Sequence, residues 1–267
     1  MKEYYLEEKG ICYQCNDFRP DRKTLVFLHG LSGSLSAWED FVNGLESTYN
    51  LLTIDLRGQG KSAKPRKYRD YDISEFACDL DALISHLHID KFVMVAHSFG
   101  TLVGLEYLMK HRDTVSSVIF MSPNFKVHVT WQARISLPFI WFGSRFASIL
   151  PMNTKPGGRL DYSQFVDTGD WNLKRMYEDI TNTGFRPYLY CLEHVYKFGH
   201  DSDWGRISAP TLIIHGREDT FIPYRNSEEL TKEIAGSKLV ILERSGHILP
   251  LNNSRKIMAL IRDFVPA

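Results

Sequence analysis

Apolar runs alternate with helical patterns along most of this chain. The runs contain almost no polar residues and lie at 23–28, 51–54, 92–96, 118–121, 211–215 and 239–242. A strand that helices cover on both faces has such a sequence, because neither face meets water. Between the runs, apolar residues recur with helical spacing at 38–45, from 74, at 99–111, from 226 and at 253–264. The alternation predicts an α/β fold: a mostly parallel twisted sheet flanked by helices, preceded by a hairpin-like pair at 3–6 and 11–15.

Charge and hydropathy limit the partners that this chain can have. The 32 Lys and Arg residues balance 32 Asp and Glu residues without a basic run, so we expect no nucleic-acid partner. The N-terminal segment MKEYYLEEKG lacks the apolar stretch of a signal peptide. No window reaches the roughly 18 apolar residues of a membrane span. We therefore expect a cytoplasmic protein with no integral membrane segment.

The cysteines do not form a recognisable metal or disulfide pattern. Cys12 and Cys15 are spaced as C-x-x-C, but the second pair of a zinc ribbon is absent. On a strand, positions three apart point to opposite faces. We expect all four cysteines, including Cys78 and Cys191, to be reduced structural thiols.

The dipeptide His97-Ser98 interrupts the apolar stretch VMVAHSFGTL, between a predicted strand and a predicted helix. In parallel sheets of this kind, ligands bind at the carboxyl ends of the strands. A serine at such a point either caps the helix or acts as a nucleophile.

The segment Ala96-His97-Ser98-Phe99-Gly100 resembles the small-x-Ser-x-Gly nucleophile elbow of the α/β-hydrolase superfamily, in its serine-nucleophile, esterase- and lipase-like branch with a helical lid. Ala96 departs from the usual glycine, and a methyl group is expected to fit. The tight turn requires small residues at both flanks and holds the serine in a strained backbone conformation. The resemblance implies the α/β-hydrolase fold, with Ser98 as nucleophile.

Two further segments resemble the partners of that serine in the family, where the chain order is serine, acid, histidine. Asp219 follows the strand at 211–215, and His247 follows the strand at 239–242. Glu218 is the neighbouring alternative for the acid; Asp219 is preferred because H-G-x-x-D is the family's spacing. The resemblance thus implies a catalytic triad of Ser98, Asp219 and His247. Taken alone, Asp219 reads equally well as a turn residue and His247 as a surface histidine.

Backbone amides are implied as donors to an oxyanion. The segment 28–33 resembles the family's H-G-x-x-G loop, which assigns the N–H groups of Leu31 and Phe99 to this role. His29 is then interpreted as a brace for the loop, and His97 as a side chain that points away from the nucleophile. The segment 55–62 lacks the spacing of a phosphate-binding loop and is interpreted as a structural turn.

The strand–helix alternation stops after Pro123 and resumes near residue 205. Because family members often insert a helical lid at this point, we predict a core of residues 1–123 and 205–267 and a cap of residues 124–204. The cap holds 16 of the chain's 34 aromatic residues, enough to wall an apolar pocket, although most of them are expected to form the cap's own core. The candidates for that wall are Trp131, Phe139, Trp141, Phe142, Phe146, Trp171 and Tyr190. The most apolar part, 137–151, is expected to be an internal lid helix rather than a lipid-facing one.

The resemblance implies a carboxylesterase that cleaves small-molecule apolar esters through an acyl-enzyme, with no cofactor and no metal. A serine at position 98 argues against the haloalkane dehalogenases and epoxide hydrolases of this fold, which use a carboxylate nucleophile. The same residues could serve a C–C bond hydrolase, lactonase, amidase, thioesterase or cofactor-free perhydrolase. A ligand-binding receptor would not need the triad. The oligomeric state stays open.

Overall fold

A computed structural model describes residues 1–126, 131–149, 155–199 and 203–266 of the chain. Its strands are β1 Lys2–Leu6, β2 Ile11–Cys15, β3 Thr24–Leu28, β4 Asn50–Ile54, β5 Phe92–His97, β6 Val115–Met121, β7 Thr211–Gly216 and β8 Lys238–Leu242. Within the described residues they form one eight-stranded sheet in the order β1-β2-β4-β3-β5-β6-β7-β8. Strands β1 and β2 pair antiparallel, β2 joins β4 antiparallel, and the remaining pairs are parallel.

Helices cover both faces of this sheet. They are α1 Glu39–Leu45, α2 Ile73–His86, α3 Phe99–Lys110, α4 Trp131–Ile149, α5 Leu173–Thr183, α6 Phe185–Lys197, α7 Arg225–Glu233, α8 Leu249–Asn252 and α9 Ser254–Phe264. Successive residues of a strand point to opposite faces. In β5, Met94 accordingly packs with α2 and α3, whereas Val93 and Val95 pack with α1 and α9. The predicted α/β fold is confirmed, and burial on both faces explains the apolar runs.

Four helix starts differ from the prediction by one residue each: α1 begins at Glu39, α2 at Ile73, α7 at Arg225 and α9 at Ser254. The helix expected to begin at Ser74 begins one residue earlier, because the Asp72 carboxylate accepts the Ser74 N–H at 3.0 Å and caps it. Ile73 then reaches the core, where it is buried. The helix expected from residue 253 is preceded by the short helix α8, and α9 begins at Ser254.

Gly100 lies where helix α3 passes closest to strand β3. A Cβ atom at this position would lie 2.5 Å from the carbonyl oxygen of Leu28 and 2.8 Å from that of His29. Both contacts are with backbone, which cannot move aside as a flexible side chain can. The small residue two positions after Ser98 is therefore required by packing, and it sets the helix against the sheet at the elbow.

We expect Gly100→Ala to lower the free energy of unfolding by about 3 kcal/mol or more, as severe overpacking of a core does. Urea unfolding followed by circular dichroism measures this change. Gly169→Ala is the matched control, since a Cβ atom at Gly169 has no neighbour within 4 Å, and it should change stability by less than about 0.5 kcal/mol. Equal stabilities for the two variants would contradict the packing argument.

Helices α4, α5 and α6 lie between β6 and β7 in the chain. Ser144 and Ala147 of α4 are fully buried, and the Ser144 hydroxyl donates to Glu193 of α6 at 2.5 Å. Tyr190 of α6 packs its ring against Tyr71 of the preceding part of the chain, with centroids 5.5 Å apart. The division into a core and a cap at residues 124–204 stays a prediction.

Helix α4 is buried on one face only, so the expectation of an internal helix is wrong for its other face. That face carries large apolar side chains at alternating spacings of four and three residues, each more than half exposed: Ile135, Phe139, Phe142, Phe146 and Ile149. Pro138 lies inside the helix without ending it. No helix within the described ranges is long and apolar enough to cross a membrane.

Candidate active site

Ser98 occupies the sharp turn between β5 and α3. Its backbone has φ 49° and ψ −113°, a conformation that costs a non-glycine residue about 1–3 kcal/mol. Although Ser98 stands at the N-cap position of α3, its side chain makes no capping hydrogen bond. The alternative that this serine serves as a helix cap is therefore wrong. The turn instead directs the hydroxyl toward the edge of the sheet where the loops after β7 and β8 meet.

The three residues predicted as a triad form a chain of two hydrogen bonds, with His247 in the middle. The Ser98 Oγ is 3.0 Å from Nε2 of His247, and His247 Nδ1 is 2.7 Å from Oδ2 of Asp219. Because the Asp219 carboxylate only accepts, Nδ1 of the neutral ring carries the proton, and Nε2 is left to accept the Ser98 proton. Glu218, the neighbouring alternative, is exposed and does not replace Asp219 in this chain of contacts.

The Asp219 carboxylate accepts three N–H groups and is in contact with a second histidine ring. Oδ1 accepts the amides of Phe221 and Ile222 at 2.9 and 2.8 Å, and Oδ2 lies 3.1 Å from Nε2 of His215 in addition to the His247 contact. Burial by itself raises the pKa of Asp219, but hydrogen bonds from His215 and His247 outweigh it and hold the pKa below its usual value. The carboxylate is therefore ionised wherever the fold persists near neutral pH.

His97 braces the backbone of His247, a role that the sequence did not indicate. Its Nε2 is 2.9 Å from the carbonyl oxygen of His247 and is the only one of the two atoms that can donate. Burial and, to a lesser extent, the neighbouring His247 ring lower the pKa of His97 to about 3. His97 is therefore neutral near pH 7, with its Nε2 proton directed at a peptide oxygen rather than at a substrate.

His215 is a second histidine that contacts the same carboxylate. The ring is fully buried, with Nε2 2.9 Å from the carbonyl oxygen of Ile222 and Nδ1 2.6 Å from the Ser227 hydroxyl. The H-G-x-x-D spacing contains this histidine, but the spacing alone does not show that its ring turns back toward Asp219. The contact is with Oδ2 of Asp219, the same oxygen that His247 approaches.

Leu31 and Phe99 are both among the residues that border the cavity containing Ser98. Within the described part of the chain, neither N–H donates to a protein acceptor. Phe99 is the first residue of α3, where the helix dipole favours negative charge. His29 holds the other loop, since its Nε2 accepts the Leu56 N–H at 3.0 Å and its Nδ1 lies 2.8 Å from the Gly30 oxygen.

A cavity of about 410 Å³ opens beside Ser98. Most of its wall is aliphatic or aromatic and comes from α3, the segment before α5, α5, α6 and the loop after β7. The residues concerned are Leu102, Tyr162, Met176, Ile180, Tyr188, Leu192, Val195, Tyr196, Phe221 and Ile222. The volume is that of a site for a small or medium-sized organic ligand.

The aromatic residues predicted to wall the cavity do not do so among the described side chains. Five of them are more than half exposed: Phe139, Trp141, Phe142, Phe146 and Trp171. Tyr190 is buried against Tyr71 and does not border the cavity. The side chain of Trp131 lies outside the described residues. The prediction was wrong because aromatic content does not indicate which face of a helix meets the pocket.

Comparisons with known proteins agree with this architecture. A family model described as the alpha/beta hydrolase fold matches residues 23–254. A protein named carbamate hydrolase RutD, from Pseudomonas savastanoi pv. phaseolicola, is 26% identical over 256 residues and covers 92% of this chain and 95% of its own length. The 3-oxoadipate enol-lactonase 2 of Acinetobacter baylyi is 26% identical over 227 residues, with 84% of this chain and 82% of that protein covered.

The fold is also found among solved structures. The enol-lactonase from Burkholderia xenovorans LB400 superposes with a TM-score of 0.76 at 20% identity, over 100% of both chains. At this level of identity the likeness concerns the fold alone.

Proposed function

Since this chain belongs to the α/β-hydrolase fold family, we propose that it is a serine hydrolase that cleaves carboxylic esters of small to medium apolar acyl or alcohol groups. Ser98 is the nucleophile, His247 the general base and acid, and Asp219 the residue that orients His247. One observation carries the proposal: the Ser98 Oγ lies 3.0 Å from a ring nitrogen whose opposite nitrogen lies 2.7 Å from a buried carboxylate.

The proposed reaction has two halves, with His247 moving one proton in each. Ser98 Oγ attacks the ester carbonyl while Nε2 of His247 takes the hydroxyl proton. The resulting imidazolium gives that proton to the departing alkoxide, which leaves as the alcohol, and the acyl group stays on Ser98. A water molecule then loses a proton to Nε2 and attacks the acyl carbonyl. The Ser98 oxygen recovers the proton, and the carboxylic acid departs.

The N–H groups of Leu31 and Phe99 are proposed to stabilise the oxyanion in both halves. Loss of one such donor typically costs about 3–4 kcal/mol of transition-state stabilisation. Both amides belong to the backbone, so either side chain can vary without removing the donor. Their position on the cavity wall beside Ser98 supports this assignment.

We further propose that residues 124–204 act as a cap that supplies the substrate-binding side of the cavity. Helices α5 and α6 provide several of the aliphatic wall residues, among them Ile180, Leu192 and Val195. Burial of an apolar acyl or alcohol group against them removes its surface from water, at about 25 cal/mol per Å². The affinity for substrate is then expected to rise with chain length until the cavity is full.

A lactone or a carbamate is the second candidate substrate, because relatives at 26% identity are named enol-lactonase and carbamate hydrolase. A lactone is a cyclic ester, and a carbamate places a nitrogen on the same carbonyl. Both can pass through the acyl-transfer steps proposed above.

The test uses a fluorophosphonate probe followed by a substrate series. The probe is expected to add one phosphonyl group, and peptide mass spectrometry is expected to find it on Ser98. Turnover of p-nitrophenyl acetate, butyrate and octanoate is then compared with turnover of a γ-lactone and an N-aryl carbamate. Labelling elsewhere, or no labelling, would contradict the nucleophile. If the enzyme hydrolyses only the lactone or only the carbamate, that compound class, and not the acyclic ester, is the substrate class.

A further inference from the structure

We propose that Asp170 is a positioning residue of the active site, which holds the loops that carry Asp219 and His247 in a fixed relation. Asp170 lies between β6 and β7 in the chain, 77 positions before His247. The inference rests on the proposed function, because it assigns Asp170 a role through the general base and its orienting acid.

One carboxylate joins the two loops. Oδ1 of Asp170 accepts the backbone N–H of His247 at 2.7 Å. Oδ2 accepts both the backbone N–H and the hydroxyl of Thr220, at 3.0 and 2.8 Å. Thr220 directly follows Asp219 in the loop after β7, and His247 lies in the loop after β8. Hydrogen bonds to an ionised carboxylate are roughly twice as strong as neutral ones, so these contacts link the loops firmly.

Gly246 makes this approach possible. A Cβ atom at Gly246 would lie 2.4 Å from Oδ1 of Asp170, closer than the carboxylate can tolerate. The glycine before His247 is therefore explained by space for the Asp170 carboxylate. Gly216, at the end of β7, has a similar reason, since a Cβ atom there would lie 2.3 Å from the carbonyl oxygens of Ser245 and Gly246. The two loops thus pack on each other and on Asp170 with no room for further side chains.

Asp170 is itself held rigidly. It is buried, and its carbonyl oxygen accepts Nη2 of Arg175 from the first turn of α5 at 2.7 Å. Nη1 of Arg175 contacts Oδ2 of Asp179 at 3.1 Å, and Oδ1 of Asp179 accepts the Tyr162 hydroxyl at 2.8 Å. Arg175, Asp179 and Tyr162 all border the cavity. Asp170 is therefore joined, through its backbone carbonyl, to a polar cluster that lines the cavity.

Both backbone polar groups of His247 are therefore held by hydrogen bonds. Its N–H is held by Asp170, and its carbonyl oxygen by the neutral ring of His97. Ser98 stands on a turn between a strand and a helix, whereas the base and the acid stand on loops. A displacement of about 1 Å between nucleophile and base can cost roughly 100-fold in rate. The loops therefore need an external anchor, and Asp170 supplies it.

Asp170→Asn tests the inference with little change in volume. The amide keeps one acceptor but points an NH₂ group at a backbone or hydroxyl donor, so one loop is released. The Asp170 carbonyl that holds Arg175 is unaffected. We expect kcat to fall by about 30- to 100-fold, KM to change by less than about threefold, and the rate of fluorophosphonate inactivation to fall by the same factor as kcat. Thermal unfolding shows whether the variant is folded.

Asp161→Asn is the matched control, because Asp161 is exposed and, among the described residues, its hydrogen bonds are to nearby residues such as Ser163. It should leave kcat and inactivation unchanged. Thr220→Val is the second variant. It removes the Thr220 hydroxyl, one of the three donors to the Asp170 carboxylate, and keeps the Thr220 backbone N–H. We expect kcat to fall by about 3- to 10-fold in a folded protein. If Asp170→Asn does not fold, the kcat and the inactivation rate of Thr220→Val test the inference instead.

Wild-type kcat and inactivation rates in both variants would overturn the inference, as would a loss confined to stability or to KM. The outcome is separable from that of the proposed function. If Ser98→Ala is inactive while Asp170→Asn is fully active, only the positioning role fails. If Ser98→Ala keeps its activity, the proposed function itself fails.

Discussion

Replacing Ser98 with Ala is expected to lower kcat on the best ester substrate by about 10⁵-fold or more. The methyl group cannot form the acyl-enzyme, and His247 is left with no proton to accept, so only binding and the oxyanion donors remain to assist water. The measurement is initial-rate hydrolysis, together with the loss of fluorophosphonate labelling. Thermal stability should be equal to or above that of the wild type, because alanine removes a polar group from the active-site cavity.

Ser122→Ala is the matched control for this loss. Ser122 also follows a central strand and also has a positive φ, 44°, but no base stands against its buried hydroxyl, which has no partner among the described residues. Its removal should change kcat by less than about twofold. Retention of more than about 1% of activity in Ser98→Ala, after removal of any contaminating wild-type enzyme, would show that another group is the nucleophile.

Asp219→Asn is expected to lower kcat by roughly 10³- to 10⁴-fold while the protein stays folded. The amide donates where the carboxylate accepted, so His247 turns to the tautomer that carries its proton on Nε2. That nitrogen then faces the Ser98 hydroxyl as a donor and cannot act as a base. Initial-rate kinetics on the same ester measure the loss of kcat.

The pH dependence of kcat distinguishes this change of the His247 tautomer from a simple loss of the negative charge on residue 219. Hydrogen bonds from two histidines hold the pKa of Asp219 below its usual value, so wild-type activity that declines between pH 7 and pH 5 does not come from protonation of Asp219. The deficit of Asp219→Asn should therefore not disappear at the lower end of this range. Glu218→Gln is the neighbouring control and should behave as wild type. A large loss of kcat in Glu218→Gln, in place of Asp219→Asn, would identify Glu218 as the residue that orients His247.

Several elements could be predicted from local sequence because their cause is local. The strands at 92–97 and 211–216 are buried on both faces, which leaves almost no polar residues in them. The turn at Ser98 requires small neighbours, and Gly100 meets a backbone oxygen within 2.5 Å if it gains a Cβ atom. Such requirements act on one or two adjacent residues and can be read from a short window. The start of α2 was missed because Asp72 and Ser74 are both good capping residues.

The cavity wall and the supports of the base could not be predicted in this way. In α4 every described aromatic side chain is more than half exposed, whereas the fully buried positions are Ser144 and Ala147, and only packing against α6 decides which face of the helix is covered. Arg175 and Asp179 look like an ordinary ion pair of an exposed helix, since they are four residues apart. Their burial against the cavity depends on the rest of the fold.

The sequence by itself determined the sheet and the small residues around the turn at Ser98, because steric rules and two-sided burial constrain residues that are neighbours in the chain. The order of serine, acid and histidine was implied by the resemblance to the α/β-hydrolase family. Only the tertiary structure decided that Asp170 reaches the amide of His247 and that His97 reaches its carbonyl oxygen. These contacts join residues 77 and 150 positions apart, and a hydrogen bond depends on distance and direction in space. The number of residues between two positions gives neither the distance nor the direction between them when several strands and helices intervene.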